Sequence, residues 1–197
     1  MRALALALLL AATSACADEA VWVCFNYGCA TEQEVNFSEA QLSWIHEMLE
    51  AATTAERERR WLALAVGQLY AWAGKQSPIW RDRGGNYADD GMPGTMDCID
   101  HSTTTTRLLR VLERRGWLRY HRVLEPVWRR KMLILQHESA LIEELPGEEA
   151  QSFNVGEAEG SKMQPQRFVV DSWFVDNGRP AVLLPLTEWL KWGGPSV

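Results

Sequence analysis

Apolar side chains recur at helical spacing in three segments of this chain. The first segment predicts a helix that begins at Ser38, where Ser38 and Gln41 have the spacing of a capping box. The second predicts a helix from about Ala55 to Gly74, and the third a helix from about Cys98 to Arg115. These segments make the first part of the domain helical.

The pattern changes to short runs of strand composition after residue 116. Asp176 to Arg179 carry an Asn-Gly pair, which predicts a hairpin turn between the last two runs. A short closing helix is predicted at 187–192. Because helices precede strands, the predicted class is α+β, with N-terminal helices packed on an antiparallel sheet. The predicted strands cover residues 117–124, 131–145, 167–175 and 180–184.

Two segments have no regular period. Residues 75–95 are rich in glycine and end just before Cys98, and residues 146–166 are rich in glycine and glutamate. Long irregular segments in a compact domain are often functional, and they lie at the surface. We therefore expect the first segment to contribute to a site around Cys98 and the second to form an exposed loop.

The first seventeen residues have the features of a secretory signal: Arg2, a short apolar run and the small residues that precede cleavage after Ala17. The run is too short to span a bilayer. An alternative interpretation is a bacterial lipobox ending at Cys16, which would leave a lipidated envelope protein. Residues 18–197 then form a single domain that is exported to the periplasm or secreted, with lipid anchoring at Cys16 left open.

The net charge of the chain limits the kinds of partner that we expect. The formal net charge is −6, and removal of residues 1–17 removes one positive charge. An acidic domain of this kind argues against nucleic acid or anionic lipid as a general partner. No second long apolar run follows, so we expect no transmembrane segment in the mature chain; the oligomeric state is left open.

The four cysteines divide by position. Cys16 belongs to the signal region. Cys24 and Cys29 are close enough to form a local disulfide around Gly28 in an oxidising compartment, although two buried free thiols are an alternative. No second pair with metal-ligand spacing follows, so we expect no metal site. Cys98 is therefore left without a partner.

The unpaired Cys98 lies at a predicted helix N-terminus, where backbone N–H groups favour a thiolate. His137 and Asp171 follow in order, each in a predicted strand. Adjacent antiparallel strands could place the imidazole beside the carboxylate. A thiol, a base and an orienting acid in this order indicate a nucleophilic triad for acyl transfer.

Other residues could complete this site. Gln76, Trp80 and Asn86 precede Cys98 and are candidates for an oxyanion donor. Trp80 and Trp173 could line a substrate cleft, although core packing is an alternative for both. His101, which lies three residues after Cys98, is an alternative base.

The segments Asp97–Asp100, His137–Ile142 and Val169–Phe174 resemble those of the transglutaminase-like branch of the papain-type fold. The resemblance covers about residues 56–176. It implies that Cys98, His137 and Asp171 act as nucleophile, base and orienting acid, with no cofactor. Bacterial members of that superfamily are often cysteine peptidases rather than crosslinking enzymes.

These observations predict an exported cysteine-dependent hydrolase or acyltransferase that acts on amide bonds of a peptide or protein. The alternative hypothesis is a catalytically inactive envelope domain that keeps the fold as a binding or assembly module. Hydrolysis and transfer are not distinguished by the residues, because water access to the acyl-enzyme decides between them.

Overall fold

The fold is taken from a computed structural model, which describes residues 18–85, 89, 91–131, 135–146 and 165–195. Three sequence predictions lie outside these residues: the signal peptide with Cys16, the oxyanion candidate Asn86, and most of the loop at 146–166.

An antiparallel hairpin opens the described chain. Strand β1 spans Glu19–Phe25 and pairs with β2, Thr31–Phe37, with Trp22 opposite Glu34. These two strands precede the first helix, so the prediction that helices come first was wrong. The alternation in β1 is weak because Cys24 and Phe25 are both buried, which interrupts the two-residue period.

The helices follow the sequence predictions closely. Helix α1 spans Glu39–Glu50, and its N-cap Ser38 forms the predicted capping box with Gln41. Helix α2 spans Ala55–Gly74, a 3₁₀ turn covers Pro78–Arg81, and helix α3 spans Cys98–Arg114. Among the described helices, none combines the length and apolarity that a membrane crossing requires.

The second sheet has four strands: β3 at His121–Lys131, β4 at Leu135–Glu144, β5 at Arg167–Asp171 and β6 at Val182–Pro185. They pair antiparallel in the order β3-β4-β5-β6. A short helix, α4, spans Leu186–Trp189. This architecture confirms the general α+β class.

Several predicted strand bounds were wrong. The strand predicted at 117–124 corresponds to β3, which begins at His121 and continues through Pro126. The pairing register of β3 shifts there, because proline cannot donate to the ladder. Strand β5 ends at Asp171, so the turn at 176–179 lies within a longer connection to β6. Arg179 N donates to Asp176 O at 3.0 Å within that turn.

The two faces of the second sheet bury different side chains. Ala140, Ile142 and Val170 join the main core, which includes apolar residues of α2 and α3. Leu141 and Val169 point to the opposite face and pack with Trp189 of α4. This alternation places His137 and Asp171 toward the α4 side of the sheet, with α3 on the other side.

A buried carboxylate joins α2 to the beginning of β3. The Glu58 side chain is fully buried and accepts hydrogen bonds from Arg119 N at 2.7 Å and Tyr120 N at 3.1 Å. Its Oε1 also lies 2.8 Å from His121 Nδ1. One side chain therefore satisfies three donors at the point where the helical part meets the sheet.

We expect Glu58→Ala to lower the free energy of unfolding by about 3 kcal/mol or more, because each unsatisfied buried donor costs roughly 1–3 kcal/mol. Urea unfolding followed by circular dichroism measures the change. Glu56→Ala is the matched control on the same helix; its carboxylate is exposed in a pair with Arg60, so we expect a change within about 0.5 kcal/mol. Equal effects of the two substitutions would contradict this account.

Candidate active site

Cys98 is the first residue of α3 and its thiol is free and partly buried. Asp97 is the N-cap: its Oδ1 accepts from Ile99 N at 3.0 Å and Asp100 N at 2.9 Å. Asp100 returns a bond, accepting from Asp97 N at 3.1 Å. This reciprocal capping box fixes the helix start, and among the described residues no acceptor takes the Cys98 N–H.

The turn between β1 and β2 docks on these two caps; we call residues 26–29 the turn clamp. Tyr27 N and Cys29 N donate to the Asp100 carboxylate at 2.9 and 2.6 Å, and Gly28 N donates to Asp97 Oδ2 at 2.9 Å. The Cys24–Cys29 disulfide, predicted from the sequence, closes the turn. The hairpin thereby holds the N-terminus of the Cys98 helix.

All four clamp residues have left-handed backbone angles, with φ of 67°, 65°, 64° and 56°. Only Gly28 adopts this region without a steric cost, and three other residues cost roughly 3–6 kcal/mol together. Hydrogen bonds to charged acceptors contribute about 1.5–3 kcal/mol each. The three bonds to Asp97 and Asp100 are therefore sufficient to hold the strained turn.

Burial raises the pKa of Asp100 to about 6, and the neighbouring charge of Asp97 adds to this shift. Backbone N–H groups, including those of Tyr27 and Cys29, oppose it. The two capping carboxylates therefore compete for ionisation at the same helix end. Asp100 takes up a proton more readily in the folded state than in the unfolded chain.

His137 and Asp171 are brought together as the sequence predicted. His137 Nε2 lies 2.7 Å from Asp171 Oδ2, and both side chains are buried. The indole of Trp189 donates to the same oxygen at 2.9 Å, and Trp173 N donates to Asp171 Oδ1 at 3.3 Å. Because Nε2 is engaged, Nδ1 is the ring nitrogen left for chemistry; it has no hydrogen-bond partner among the described residues.

Aromatic rings surround the imidazole. The His137 ring centroid lies 4.8 Å from that of Trp173, 5.4 Å from Phe174 and 5.6 Å from Trp189. These rings exclude water from the bond between His137 and Asp171, which strengthens it. Trp189 was missed by the sequence analysis, which treated it as part of a short terminal helix without a role.

Cys98 lies near the backbone of β4 at Glu138, the residue after His137. The Glu138 N–H interacts with the Cys98 thiol and lowers its pKa. Ser102, one turn along α3, donates to Glu138 Oε1 at 3.0 Å. The recorded pairs of β4 with β5 begin at Ala140, so the thiol approaches β4 beyond the end of β5. No hydrogen bond joins Cys98 Sγ to His137 among the described residues.

The expectation of a readily ionised thiol was wrong. Burial raises the pKa of Cys98 to about 11; the Glu138 N–H opposes the shift, while the charges of Asp97, Glu138 and Asp171 add to it. The helix N-terminus does favour a thiolate, but burial and three carboxylates outweigh it. At neutral pH Cys98 is a thiol.

The residues predicted as oxyanion donors or cleft residues lie in different surroundings. Gln76 is not available as an oxyanion donor, because its amide donates to Asn36 O and accepts from Asn36 N, both at 2.9 Å. Trp80 is 54% exposed, with the Arg81 guanidinium over its ring. Trp173 is buried, so it forms a wall of the histidine site rather than an open cleft.

His101, the alternative base, belongs to another buried network that the sequence did not reveal. Its Nε2 lies 3.0 Å from Asp82 Oδ2 and its Nδ1 lies 2.8 Å from Ser172 Oγ. Both ring nitrogens are therefore engaged, which excludes His101 as the base for Cys98. Asp82 also accepts from Met96 N at 2.9 Å, so the network fixes the loop that leads to Cys98.

One group of metal-ligand atoms occurs in the described part of the chain. The sulfurs of Cys24 and Cys29 and a carboxylate oxygen of Glu32 lie within 4.8 Å of one another. The two sulfurs are joined in a disulfide, and disulfide sulfurs are not thiolate ligands. While the disulfide is formed, these two sulfurs do not act as thiolate ligands.

No protein-family model, curated protein or solved structure matches this chain. The transglutaminase-like resemblance therefore stays a prediction, and the general α+β class is what the structure supports. Function has to be argued from the site itself.

Asp100 makes stability depend on pH. A folded pKa near 6 against an ordinary value of 3.8 means that its stabilising contribution is complete below about pH 4 and is lost as pH rises through 6, by up to about 3 kcal/mol. We expect wild type to gain stability relative to Asp100→Asn between about pH 7 and pH 4.

Urea midpoints at several pH values test this expectation. Glu125→Gln is the control, because the Glu125 side chain is 90% exposed, and it should keep the wild-type dependence. A wild type that loses stability relative to Asp100→Asn on acidification would show that Asp100 is a normal, low-pKa carboxylate.

Proposed function

We propose that this protein is a cysteine-dependent hydrolase or acyltransferase that acts on amide bonds of a peptide or protein. The observation that carries the proposal is the buried bond between His137 Nε2 and Asp171 Oδ2, with Cys98 placed against the next backbone amide of the same strand. His137 Nδ1 has no hydrogen-bond partner among the described residues, which leaves it available for proton transfer.

The mechanism begins with attack of the Cys98 sulfur on the substrate carbonyl. His137 Nδ1 accepts the thiol proton and then donates it to the leaving amine. Asp171 holds the tautomer with the proton on Nε2 and stabilises the imidazolium. Water or a second amine resolves the acyl-enzyme, and the Cys98 N–H at the helix start is a donor for the developing oxyanion.

The high pKa of Cys98 decides when the proton moves. Because burial and nearby carboxylates raise that pKa to about 11, a thiolate does not form in advance at neutral pH. Proton transfer to His137 accompanies attack on the carbonyl, as in general-base catalysis.

Topology supports the same proposal. A nucleophile at a helix start, a base on the second strand and an acid on the third occur here in α3, β4 and β5. This order is the one implied by the transglutaminase-like resemblance. The Cys24–Cys29 disulfide is typical of an oxidising compartment, and we infer export to the periplasm or outside the cell, with or without a lipid at Cys16.

Two observations favour a second candidate function. The raised pKa of Cys98 and the missing hydrogen bond to His137 suit a catalytically inactive envelope domain that serves as a binding or assembly module. In that case Asp171 and His137 are a structural pair. The two hypotheses differ in one property, the dependence of Cys98 reactivity on His137.

The triad is tested by reaction with a peptidyl vinyl sulfone, which requires attack by an activated thiol. We expect Cys98→Ala to abolish labelling, and His137→Ala and Asp171→Asn to slow it by about 10³-fold and 10-fold or more, on the scale of general-base contributions. Quantitative mass spectrometry measures the rates. His46→Ala, whose ring stacks on Trp117, is the control and should retain the wild-type rate. Equal rates for wild type and His137→Ala would favour the inactive module.

The pH dependence of alkylation tests the state of the thiol. With a pKa near 11, the rate of Cys98 alkylation by iodoacetamide should still be rising above about pH 9, because the thiolate fraction increases with pH up to the pKa. Peptide mapping isolates Cys98 from the disulfide cysteines. A plateau from acidic to neutral pH would indicate a preformed thiolate–imidazolium pair and contradict the expectation.

A further inference from the structure

We propose that the Cys24–Cys29 disulfide is a reducible lock that holds the Cys98 helix in its reactive position through the turn clamp. A dithiol reductant is the inferred co-reactant. The inference rests on the proposed function for its catalytic consequence, but the lock itself is a property of the hairpin and of α3.

Besides the capping residues Asp97 and Asp100, the turn clamp also contacts the segment that leads to Cys98. Asn26 N donates to Thr95 O at 2.8 Å, and Gly94 N donates to the Asn26 side chain at 2.9 Å. Tyr27 OH lies 2.5 Å from a carboxylate oxygen of Asp89. With the bonds to the two capping aspartates, the clamp fixes residues on both sides of the nucleophile.

The disulfide joins the end of the clamp to its base. Cys29 is the last of the four left-handed residues, and Cys24 lies in β1 with its N–H bound to Thr104 Oγ1 of α3 at 2.9 Å. The cross-link therefore ties the strained turn to a strand that is itself attached to α3. Reduction removes this tie and leaves the turn held by hydrogen bonds alone.

The surroundings of the disulfide favour its reduction. Cys29 is partly exposed, whereas Cys24 is fully buried. A reductant thiolate can attack the Cys29 sulfur, so that Cys24 leaves as a thiolate. Arg107 lies 3.5 Å from Cys24 Sγ, and a nearby cation stabilises a leaving thiolate and speeds exchange.

The charges that face the disulfide are Arg107 and Glu32. Glu32 Oε1 lies 3.5 Å from Cys24 Sγ and 3.4 Å from Cys29 Sγ, and Arg107 pairs with that oxygen at 2.5 Å. The guanidinium therefore also neutralises the carboxylate that would otherwise repel an attacking thiolate. Both effects of Arg107 act in the same direction.

The thiol–disulfide exchange conserves electrons and protons. The attacking thiolate forms a mixed disulfide with Cys29 as the bond to Cys24 breaks, and the second thiol of the reductant then displaces Cys29. The protein gains two protons and two electrons and holds two thiols, while the reductant leaves as a cyclic disulfide. Reoxidation reverses each step and restores the clamp.

Two measurements on the full chain test the lock. The first is amide hydrogen exchange, compared between the α3 start (residues 99–102) and its distal part (residues 108–112), before and after treatment with dithiothreitol. The second is the ratio of vinyl sulfone labelling rates of Cys98 in wild type and in His137→Ala. We expect reduction to increase exchange at 99–102 by tenfold or more, to leave 108–112 unchanged, and to lower the labelling ratio toward one.

The double variant Cys24→Ser, Cys29→Ser should match the reduced protein and show no further response to dithiothreitol. Arg107→Gln should keep the clamp closed when oxidised but slow reduction several-fold, followed as appearance of the two thiols. If reduction leaves exchange at 99–102 unchanged, or increases it equally along all of α3, the lock is overturned.

The outcomes separate this inference from the proposed function. Loss of protection at 99–102 with a labelling ratio that never depended on His137 would support the lock and contradict the triad. A His137-dependent ratio that survives reduction would support the triad and overturn the positioning effect of the disulfide.

Discussion

The capping of α3 is the interaction on which the site depends. Asp97 and Asp100 satisfy the first N–H groups of the helix, and they also accept the N–H groups of the turn clamp. Two carboxylates at one helix end repel each other, yet each is held by several donors. The position of Cys98 therefore depends on a hairpin about seventy residues earlier in the chain.

The same burial that fixes the thiol also makes it a weak acid. Cys98 is partly buried and lies near three carboxylates, so its pKa is raised to about 11. Its chemistry then depends on a base with a free nitrogen, and the bond between His137 and Asp171 leaves Nδ1 in that state. Activation through the imidazole, rather than through the helix dipole, is what this geometry favours.

Three buried histidines contact carboxylates in this domain, and their surroundings distinguish their roles. His121 contacts Glu58 and Arg59, and His101 contacts Asp82 and Ser172, so each has partners at both ring nitrogens. His137 has a partner only at Nε2 within the described residues. His137 is therefore the histidine suited to proton transfer, because its Nδ1 has no hydrogen-bond partner among the described residues.

Local patterns in the sequence predicted much of this arrangement. The Ser38 capping box, the bounds of α2, the start of α3 and the local disulfide depend on residues close together in the chain, so short-range chemistry determines them. The order of Cys98, His137 and Asp171 also indicated which residues to examine. Strand β1 was missed because the burial of both Cys24 and Phe25 interrupts its period, and β2 was missed because Val35 and Phe37 are its only apolar residues.

Tertiary structure decided what distant residues do to one another. Gln76 proved to bind β2, His101 proved to bind Asp82, and Trp189 proved to hold Asp171. The pKa of Cys98 also reversed the expectation from its helix position, because desolvation and charge depend on groups that the fold gathers from separate segments. The sequence by itself determined which residues could do chemistry; only packing in three dimensions determined their protonation, their partners and the turn clamp that holds them.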